Sequence, residues 1–249
     1  MTGHTEVELT EDRLLGGRVR LWQPRHGYRV AIDPVLLAAA VEPAPGAVVL
    51  DVGTGTGAAA LCLAARVAGC RVVGLEREPE LLAIARLNFA GDGQPERLEL
   101  VAGDLFAPPT QLTAVAFDHV MTNPPFHASG SATPPRTPTG RAAHVTESDL
   151  ALWIQACLAR LRPRGWLTLI HRADQLDVIL AALVGRAGDI KLCPVWPDAD
   201  TAARRVIVSA RKTGRGPLRL GRGLVLHGPD GRFTPAAEAV LRDAGPLST

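Results

Sequence analysis

Short, continuous apolar runs alternate with longer segments of helical periodicity along most of the chain. Apolar runs of this length that end at a turn are typical of strands covered on both faces of a sheet. The pattern predicts seven strands, at residues 47–52, 71–75, 98–101, 117–121, 166–171, 190–195 and 204–210. It predicts helices at residues 57–68, 78–88, 148–161 and 176–187. Strands that alternate with helices indicate an α/β fold with a doubly wound, mostly parallel sheet.

The last two predicted strands close the sheet in a different way from the others. The segment that joins them, residues 196–203, contains Pro and Asp and is too short for a crossover helix. We therefore expect an antiparallel hairpin at this end of the sheet. The chain is expected to comprise an N-terminal basic segment (1–30), a main domain (31–212) and a small C-terminal appendage (213–249) of strand, turn and helix.

Charge is distributed unevenly along the chain. With 27 Lys and Arg against 25 Asp and Glu, the net charge of +2 gives no argument for nucleic-acid binding by itself. Residues 30–203 carry 13 basic and 18 acidic side chains, whereas residues 204–249 carry nine basic and three acidic ones. Of the 27 basic residues, 25 are Arg, whose planar guanidinium suits phosphate contacts and base stacking, although genome codon bias explains the same excess equally well.

The four cysteines stand singly inside apolar runs, without the paired spacing of a zinc site or of a disulfide framework. The N-terminus is polar and acidic, and no apolar stretch approaches the length that crosses a bilayer. These features predict a cytoplasmic protein that binds no metal and contacts no membrane.

The strongest motif is VVLDVGTGTG at residues 48–57, in which Asp51 ends a strand and Gly53, Gly55 and Gly57 open a helix. Glycines are needed where the chain turns sharply and a ligand approaches bare backbone. The same spacing satisfies a loose dinucleotide fingerprint, so an NAD-dependent oxidoreductase is one interpretation. Asp51 favours S-adenosylmethionine instead, because that ligand carries an ammonium and a sulfonium group and no pyrophosphate.

Two further acids follow the next two predicted strands. Glu76 is suited to a bidentate grip on ribose hydroxyls, and Asp104 is placed to accept a hydrogen bond from an adenine amino group. A turn cap is the simpler interpretation of Asp104 taken alone. Together with Asp51, these acids lie where the carboxyl ends of parallel strands meet, which is the edge at which ligands bind in such sheets.

Asn123, Pro124, Pro125 and Phe126 follow the fourth predicted strand. A plain turn explains Asn-Pro-Pro by itself, since proline restricts its own backbone and that of its predecessor. At this edge the amide oxygen of Asn123 and the carbonyl of Pro124 can each accept one hydrogen of an aromatic amino group and orient its lone pair. Pro125 stiffens the turn, and Phe126 offers a ring on which a base can stack, with core packing as its alternative.

These motifs, DVGTGTG, GLERE, AGDLF and NPPF in this order after QPRHGYRVAIDPVLLAAA, resemble class I S-adenosylmethionine-dependent methyltransferases. Within that class the chain resembles the bacterial tRNA(Val) adenine-N6 methyltransferases, over about residues 9–212. The resemblance implies a Rossmann-like sheet, S-adenosylmethionine as cofactor and tRNA as partner. It assigns the motif residues to fixed roles: Asp51, Gly53, Gly55 and Gly57 to the methionine end of the cofactor, Glu76 to ribose, Asp104 to adenine, and Asn123 through Phe126 to the acceptor base.

Other residues are weaker candidates. The resemblance adds Tyr28, Arg29 and Asp33, which precede the glycine motif in the family's cofactor-closing segment. Arg141 and His144, at the end of a long Pro-, Ser- and Thr-rich loop, are candidates for RNA contact, with solvated side chains as the alternative. Arg204 and Arg205 are expected to form a phosphate-binding rim beside the active-site edge, together with five basic residues that follow them: Arg211, Lys212, Arg215, Arg219 and Arg222.

One departure leaves the acceptor open. His127 after NPPF also occurs in ribosomal RNA guanine-N2 methyltransferases, and NPP motifs serve protein-glutamine methylation as well. The sequence therefore predicts an S-adenosylmethionine-dependent N-methyltransferase, with adenine N6 in tRNA as the expected acceptor and guanine N2 or a protein glutamine as alternatives. A cofactor-binding module without catalysis is a further alternative.

Overall fold

The structure is a computed structural model that describes residues 8–91, 96–125 and 147–247. An antiparallel hairpin of β1 (Leu9–Leu14) and β2 (Val19–Pro24) comes first and is followed by α1 (Asp33–Ala39). The rest of the chain forms one large sheet and its flanking helices. Those elements are β3 (Val48–Val52), α2 (Ala58–Arg66), β4 (Arg71–Glu76), α3 (Pro79–Gly91), β5 (Leu98–Ala102), α4 (Thr110–Thr113), β6 (Phe117–Thr122), α5 (Glu147–Arg160), β7 (Leu161–Arg172), α6 (Leu176–Leu183), β8 (Ala187–Trp196), β9 (Arg205–Lys212), β10 (Arg219–Leu220), β11 (Leu224–Val225) and α7 (Pro235–Leu241).

All seven predicted strands lie in one sheet, in the order β8-β9-β7-β6-β3-β4-β5. The pairs β5–β4, β4–β3, β3–β6 and β6–β7 are parallel, whereas β9 is antiparallel to both β7 and β8. The α/β fold with an antiparallel closing hairpin is therefore confirmed. Two short strands that the sequence pattern did not predict, β10 and β11, pair in parallel with β8 and bring the sheet to nine strands.

Two apolar clusters cover the two faces of the sheet, because successive strand residues point to opposite sides. Val49 belongs to the cluster that contains the residues of α1 and α2, and Leu50 belongs to the one that contains the residues of α5 and α6. Leu21 of the N-terminal hairpin and Leu241 of α7 join the first cluster. Both ends of the described chain thus pack against the same face of the sheet.

Two predicted boundaries shift for local reasons. Helix α6 ends at Leu183 because Val184 is extended and Gly185 has a left-handed φ of 72°, after which the chain enters β8. Strand β7 begins at Leu161 rather than at residue 166, and its pairing with β6 is irregular between Phe117 and His119. In the part of the chain that the structure describes, no helix has the length and apolar character needed to span a membrane.

Candidate active site

The glycine motif forms a tight turn over the carboxyl end of β4. The backbone N–H groups of Gly53 and Thr54 both donate to the carbonyl of Leu75, at 2.9 and 3.0 Å. The next glycine, Gly55, donates its N–H to Oε2 of Glu76 at 2.8 Å. The turn is thus attached to the neighbouring strand by three hydrogen bonds, and Gly53 stays exposed.

A cavity of about 500 Å³ opens beside this turn. Its volume lies in the range of small-molecule and cofactor sites. Apolar side chains of Val52, Leu75, Leu81 and Leu105 line much of it. The predicted site residues that line it are Tyr28, Arg29, Asp33, Gly53, Gly55, Glu76, Asn123, Pro124, Pro125 and Arg205. The structure therefore brings the glycine turn and the Asn-Pro-Pro turn to the same cavity.

Four predicted site residues that the structure describes are not part of this lining. Asp51, Gly57, Asp104 and Arg204 lie outside its lining. The positions of Phe126, Arg141 and His144, and of the loop 127–143, fall outside the described residues.

Glu76 is the predicted ribose-binding acid, and it lines the cavity. Its side chain is buried, and it accepts backbone hydrogen bonds on both oxygens, from Gly55 on Oε2 and from Arg77 and Glu78 on Oε1 at 2.8 and 2.9 Å. Burial raises the pKa of Glu76, and the three N–H donors act in the opposite direction. The donors hold the carboxylate rigidly at the cavity wall. Oε2, which accepts only the bond from Gly55, keeps a second lone pair with which to accept a further hydrogen bond.

Asp51 lies beneath the glycine turn and is almost fully buried, with 2% of its surface exposed. Its Oδ2 accepts a hydrogen bond from Thr54 Oγ1 at 2.6 Å. Burial raises the pKa of Asp51 to about 7, and the nearby Glu76 carboxylate adds to the rise, while the bond from Thr54 opposes it. A buried carboxyl with a pKa near neutrality is held ready to ionise when a positive charge arrives.

Asp104 has partners of its own in this structure. Its Oδ1 accepts from the backbone N–H of Phe106 at 2.8 Å, and its Oδ2 lies 3.4 Å from Nη1 of Arg77. Gly103 and Leu105 on either side of it line the cavity. The structure thus gives Asp104 the turn-capping bond that was the simpler interpretation of this residue.

Asn123 carries an unused acceptor. Its Oδ1 is buried and accepts no hydrogen bond from the described residues, although buried polar atoms are normally paired. The residue follows β6 and lines the cavity together with Pro124 and Pro125. An orphaned amide oxygen in a cavity wall fits a ligand that brings an N–H donor.

Tyr28 reaches over the glycine turn from the segment before α1. A Cβ at Gly55 would overlap its hydroxyl and lie 3.0 Å from its Cζ. Burial of the phenol raises the pKa of Tyr28, and the Glu76 and Asp51 carboxylates raise it further, so its hydroxyl stays protonated. The neighbouring Arg29 binds instead to the N-terminal hairpin, through the carbonyl of Pro24 and the carboxylate of Asp12.

The sequence pattern did not predict Trp153 as part of the cavity wall. Trp153 of α5 donates its indole N–H to Thr122 Oγ1 at 3.0 Å, and its ring lies against Gly53. Exposed Phe106 meets this ring edge-on, with the centroids 6.1 Å apart. Trp153 lies on a helix far along the chain from the motifs, and its helical spacing gives no signal that separates it from a core residue.

Arg205 is held at the cavity by an ion pair. Its Nε lies 3.1 Å from Oδ2 of Asp33, the first residue of α1, and both side chains line the cavity. Asp33, a weaker candidate from the resemblance, thus fixes Arg205 of β9 at the mouth.

The predicted rim of basic residues is wrong in its extent. Strand β9 runs antiparallel to β7, so Arg205 pairs with Arg172 at the cavity end, whereas Arg211 pairs with Trp166 at the other end of the sheet. Six residue steps in a strand correspond to about 20 Å. Arg211 and Lys212 therefore lie far from the cavity, because the sequence pattern showed the strand but not which of its ends faces the site.

The ligands that this cavity can hold follow from its lining. It offers a rigid carboxylate, a backbone turn, apolar walls, two aromatic rings and an orphaned amide acceptor, which suit a ligand with hydroxyl groups and an apolar ring system. Among the described residues, no cluster of His, Cys, Asp and Glu has the composition of a metal site.

Residues 30–175 match the methyltransferase small domain family. The tRNA1(Val) (adenine(37)-N6)-methyltransferase of Porphyromonas gingivalis strain W83 is 35% identical over 198 residues, which are 71% of this chain and 77% of that protein.

Solved structures share the fold. A predicted O-methyltransferase from Agrobacterium tumefaciens matches with a TM-score of 0.70 and 25% identity, over 87% of this chain and 98% of that one. A T. thermophilus 16S rRNA N2 methyltransferase in complex with AdoMet and guanosine matches with a TM-score of 0.57 and 21% identity, over 82% of this chain and 50% of that one.

Proposed function

This chain belongs to the methyltransferase small domain family and, within it, to the tRNA1(Val) (adenine(37)-N6)-methyltransferases, and we propose that it methylates N6 of an adenine in tRNA. The enzyme is an S-adenosylmethionine-dependent methyltransferase. The proposed acceptor is the exocyclic amino group of the base, and position 37 is the one that the P. gingivalis relative is named for.

The orphaned oxygen of Asn123 carries this proposal. An exocyclic amino group brings two N–H donors, and the Oδ1 of Asn123 can accept one of them while the backbone carbonyl of Pro124 accepts the other. Two fixed acceptors orient the amino nitrogen so that its lone pair points away from the ring plane and toward the cavity. Both acceptors are neutral, so they act through orientation. The nitrogen releases its extra proton to solvent after its lone pair has formed the bond to the methyl group.

Other residues of the cavity fit the cofactor. When bound, S-adenosylmethionine supplies an electrophilic methyl group on a sulfonium. Glu76 would hold the ribose hydroxyls, Gly53 and Gly55 would leave room for the methionine end, and Asp51 would face its ammonium through the turn. The protonated hydroxyl of Tyr28 and the ring of Trp153 would close the two sides of the cavity and exclude water.

We further propose that residues 31–212 form the domain that carries the cofactor site and the acceptor site, with Tyr28 and Arg29 of the N-terminal segment completing the cavity wall. The target base must leave its stack to reach the cavity, which favours an unpaired loop nucleotide over one in a stem.

Transfer of a radiolabelled methyl group to bulk tRNA, ribosomal RNA and total protein, followed by nucleoside and amino-acid analysis, tests this function. We expect N6-methyladenosine in the tRNA fraction. Label in N2-methylguanosine or in N5-methylglutamine would overturn the proposed acceptor and keep the enzyme class. The best substrate control is tRNA(Val) in which the adenine after the anticodon is replaced by another base, which should take up no label.

A further inference from the structure

Residues 211–222, RKTGRGPLRLGR, hold a run of basic side chains without an acid among them. The five basic residues are Arg211, Lys212, Arg215, Arg219 and Arg222. This segment, called here the edge track, follows the last long strand of the sheet.

The edge track runs along the open edge of the sheet toward the cavity end. It starts at the far end of β9, where Arg211 pairs with Gly188 and Lys212 with Ala187 at the beginning of β8. It then continues as β10, which runs parallel to β8 and places Arg219 opposite Lys191 of β8. Beyond it, Leu224 of β11 lies opposite Val195, close to the end of β8. Since β8 ends at the same edge as Arg205, the track leads from the far end of the molecule to the mouth of the cavity.

The fold holds this segment firmly against the sheet. The backbone N–H of Gly221 donates to the carbonyl of Leu192 at 2.7 Å, and the N–H of Asp189 donates to the carbonyl of Gly216 at 3.1 Å. Gly223 packs so closely on Trp196 that a Cβ there would overlap the indole ring. A solvated tail would make none of these contacts, so the fold determines the path of this segment.

The side chains of the track are presented to solvent. Arg215, Arg219 and Arg222 are all exposed, and β10 is exposed at both of its residues. Basic side chains on an edge strand also prevent other strands from pairing with it. Prevention of strand pairing needs only scattered charges, whereas the basic side chains of the track continue along the length of β8.

At the far end the positive charge extends onto the neighbouring strands. Lys191 Nζ and the guanidinium of Arg211 each approach the ring of Trp166, with distances of 5.5 and 5.7 Å from its centroid. Exposed Arg164 lies on the same end of β7 and accepts a hydrogen bond on its carbonyl from Arg211 Nε. These contacts gather basic side chains at the start of the track, where Glu42 and Asp118 line the same surface depression as Arg164 and Arg211.

We propose that the edge track binds the phosphodiester backbone of the RNA substrate at a distance from the methylated base. This inference rests on the proposed function, because it takes the acceptor to be a nucleotide of a folded RNA. Five basic side chains stand on a segment whose own sequence holds no acid, and they outnumber the one carboxylate that packs against it, that of Asp189 beside Gly214 and Gly216. Such a row suits a polyanion, and the length of the track, about 20 Å, exceeds the reach of the few nucleotides that enter a base pocket. The track therefore contacts RNA outside the loop that carries the target adenine.

Charge reversal on the track tests the inference. Arg219→Glu and Arg222→Glu are compared with Arg86→Glu, which makes the same change of charge at an exposed position of α3 off the track. Binding of full-length tRNA(Val) transcript is measured by filter retention over a range of salt. We expect each track variant to bind roughly tenfold more weakly, with a salt slope smaller by about 0.9 for each lost phosphate contact.

Three controls make the outcome decisive. Binding of S-adenosylhomocysteine and thermal stability should match wild type in all variants, and a short anticodon-loop oligonucleotide should bind the track variants and wild type equally well. Track variants that bind full-length tRNA as Arg86→Glu does would overturn the inference. If the wild-type enzyme methylates no tRNA at all, the proposed function fails instead, and the two failures are thereby distinguished.

Discussion

The hydroxyl of Tyr28 lies directly over the backbone of Gly55, so close that a Cβ at Gly55 would overlap it. Gly55 also has a left-handed φ of 60°, a conformation that disfavours other residues by about 1–2 kcal/mol. The turn and the tyrosine that closes the cavity are therefore matched to each other in shape.

We predict that Gly55→Ala weakens S-adenosylhomocysteine binding at least tenfold, because the added methyl group displaces Tyr28 from the cavity. Isothermal titration calorimetry measures the affinity. Gly46→Ala is the matched control: Gly46 has a φ of 80° with no atom near the added Cβ, so this variant should lose stability without losing affinity. Equal affinity of Gly55→Ala and wild type would contradict the assignment of this turn to the cofactor.

Asn123→Ala should lower the turnover number by at least ~100-fold, the loss typical of removing one fixed polar group that orients a reacting centre. The affinity for S-adenosylhomocysteine should stay within about threefold of wild type, since the amide faces the acceptor side. Single-turnover methyl transfer to tRNA measures the effect, and thermal unfolding checks that the variant folds. Near-normal turnover would remove Asn123 from the acceptor site.

The sequence pattern predicted the large sheet well because its strands are buried on both faces and read as continuous apolar runs. It missed the hairpin of β1 and β2, because β1 (LTEDRL) is mostly polar and contains no continuous apolar run. That hairpin is held by a tertiary contact, the exchange of hydrogen bonds between Trp22 and Asn88, which no local pattern reveals.

The residues of the candidate site were likewise predicted only in part. Glu76 and Asn123 were predicted because each stands at the carboxyl end of a strand, at the ligand-binding edge, and strand ends can be predicted from sequence. Trp153 was not found, because its place in the cavity depends on how α5 packs over β6. The extent of the basic rim was predicted wrongly for the same reason. Only the topology shows that β9 places Arg205 and Arg211 at opposite ends of the sheet.

The hydrogen bond from Trp153 to Thr122 links α5 to the end of β6, directly before Asn123. Thr122 Oγ1 donates in turn to the carbonyl of Val52, which extends the link to β3. Trp153→Phe keeps a ring against Gly53 and should lower the free energy of unfolding by about 1 kcal/mol. Urea denaturation measures this loss. In a Thr122→Val background the same substitution should cost less, because the partner is already absent, and fully additive costs would show that the bond contributes nothing.

Asp51 offers a test that separates stability from function. Burial raises its pKa to about 7, well above its value in an unfolded chain, so the folded protein binds this proton more tightly than the unfolded one. The corresponding stabilisation is complete below about pH 4 and is lost as the pH rises through 7. The other titrating groups are shared by wild type and an Asp51→Asn variant, so the difference between the two reports the titration of Asp51 together with its coupling to Glu76.

Asp51→Asn should therefore stabilise the ligand-free protein at pH 8 relative to wild type, and the advantage should shrink by up to about 1.4 kcal/mol per pH unit on lowering the pH from 7 to 5. The asparagine can still accept the hydrogen bond from Thr54, so the turn is preserved. Affinity for S-adenosylhomocysteine should fall at the same time, because the carboxylate that attracts its ammonium group is gone. A variant that is less stable than wild type at pH 8 would contradict the raised pKa, whereas unchanged affinity would contradict the role at the methionine end; a stabilised protein that binds poorly is the result expected of a charge buried for function.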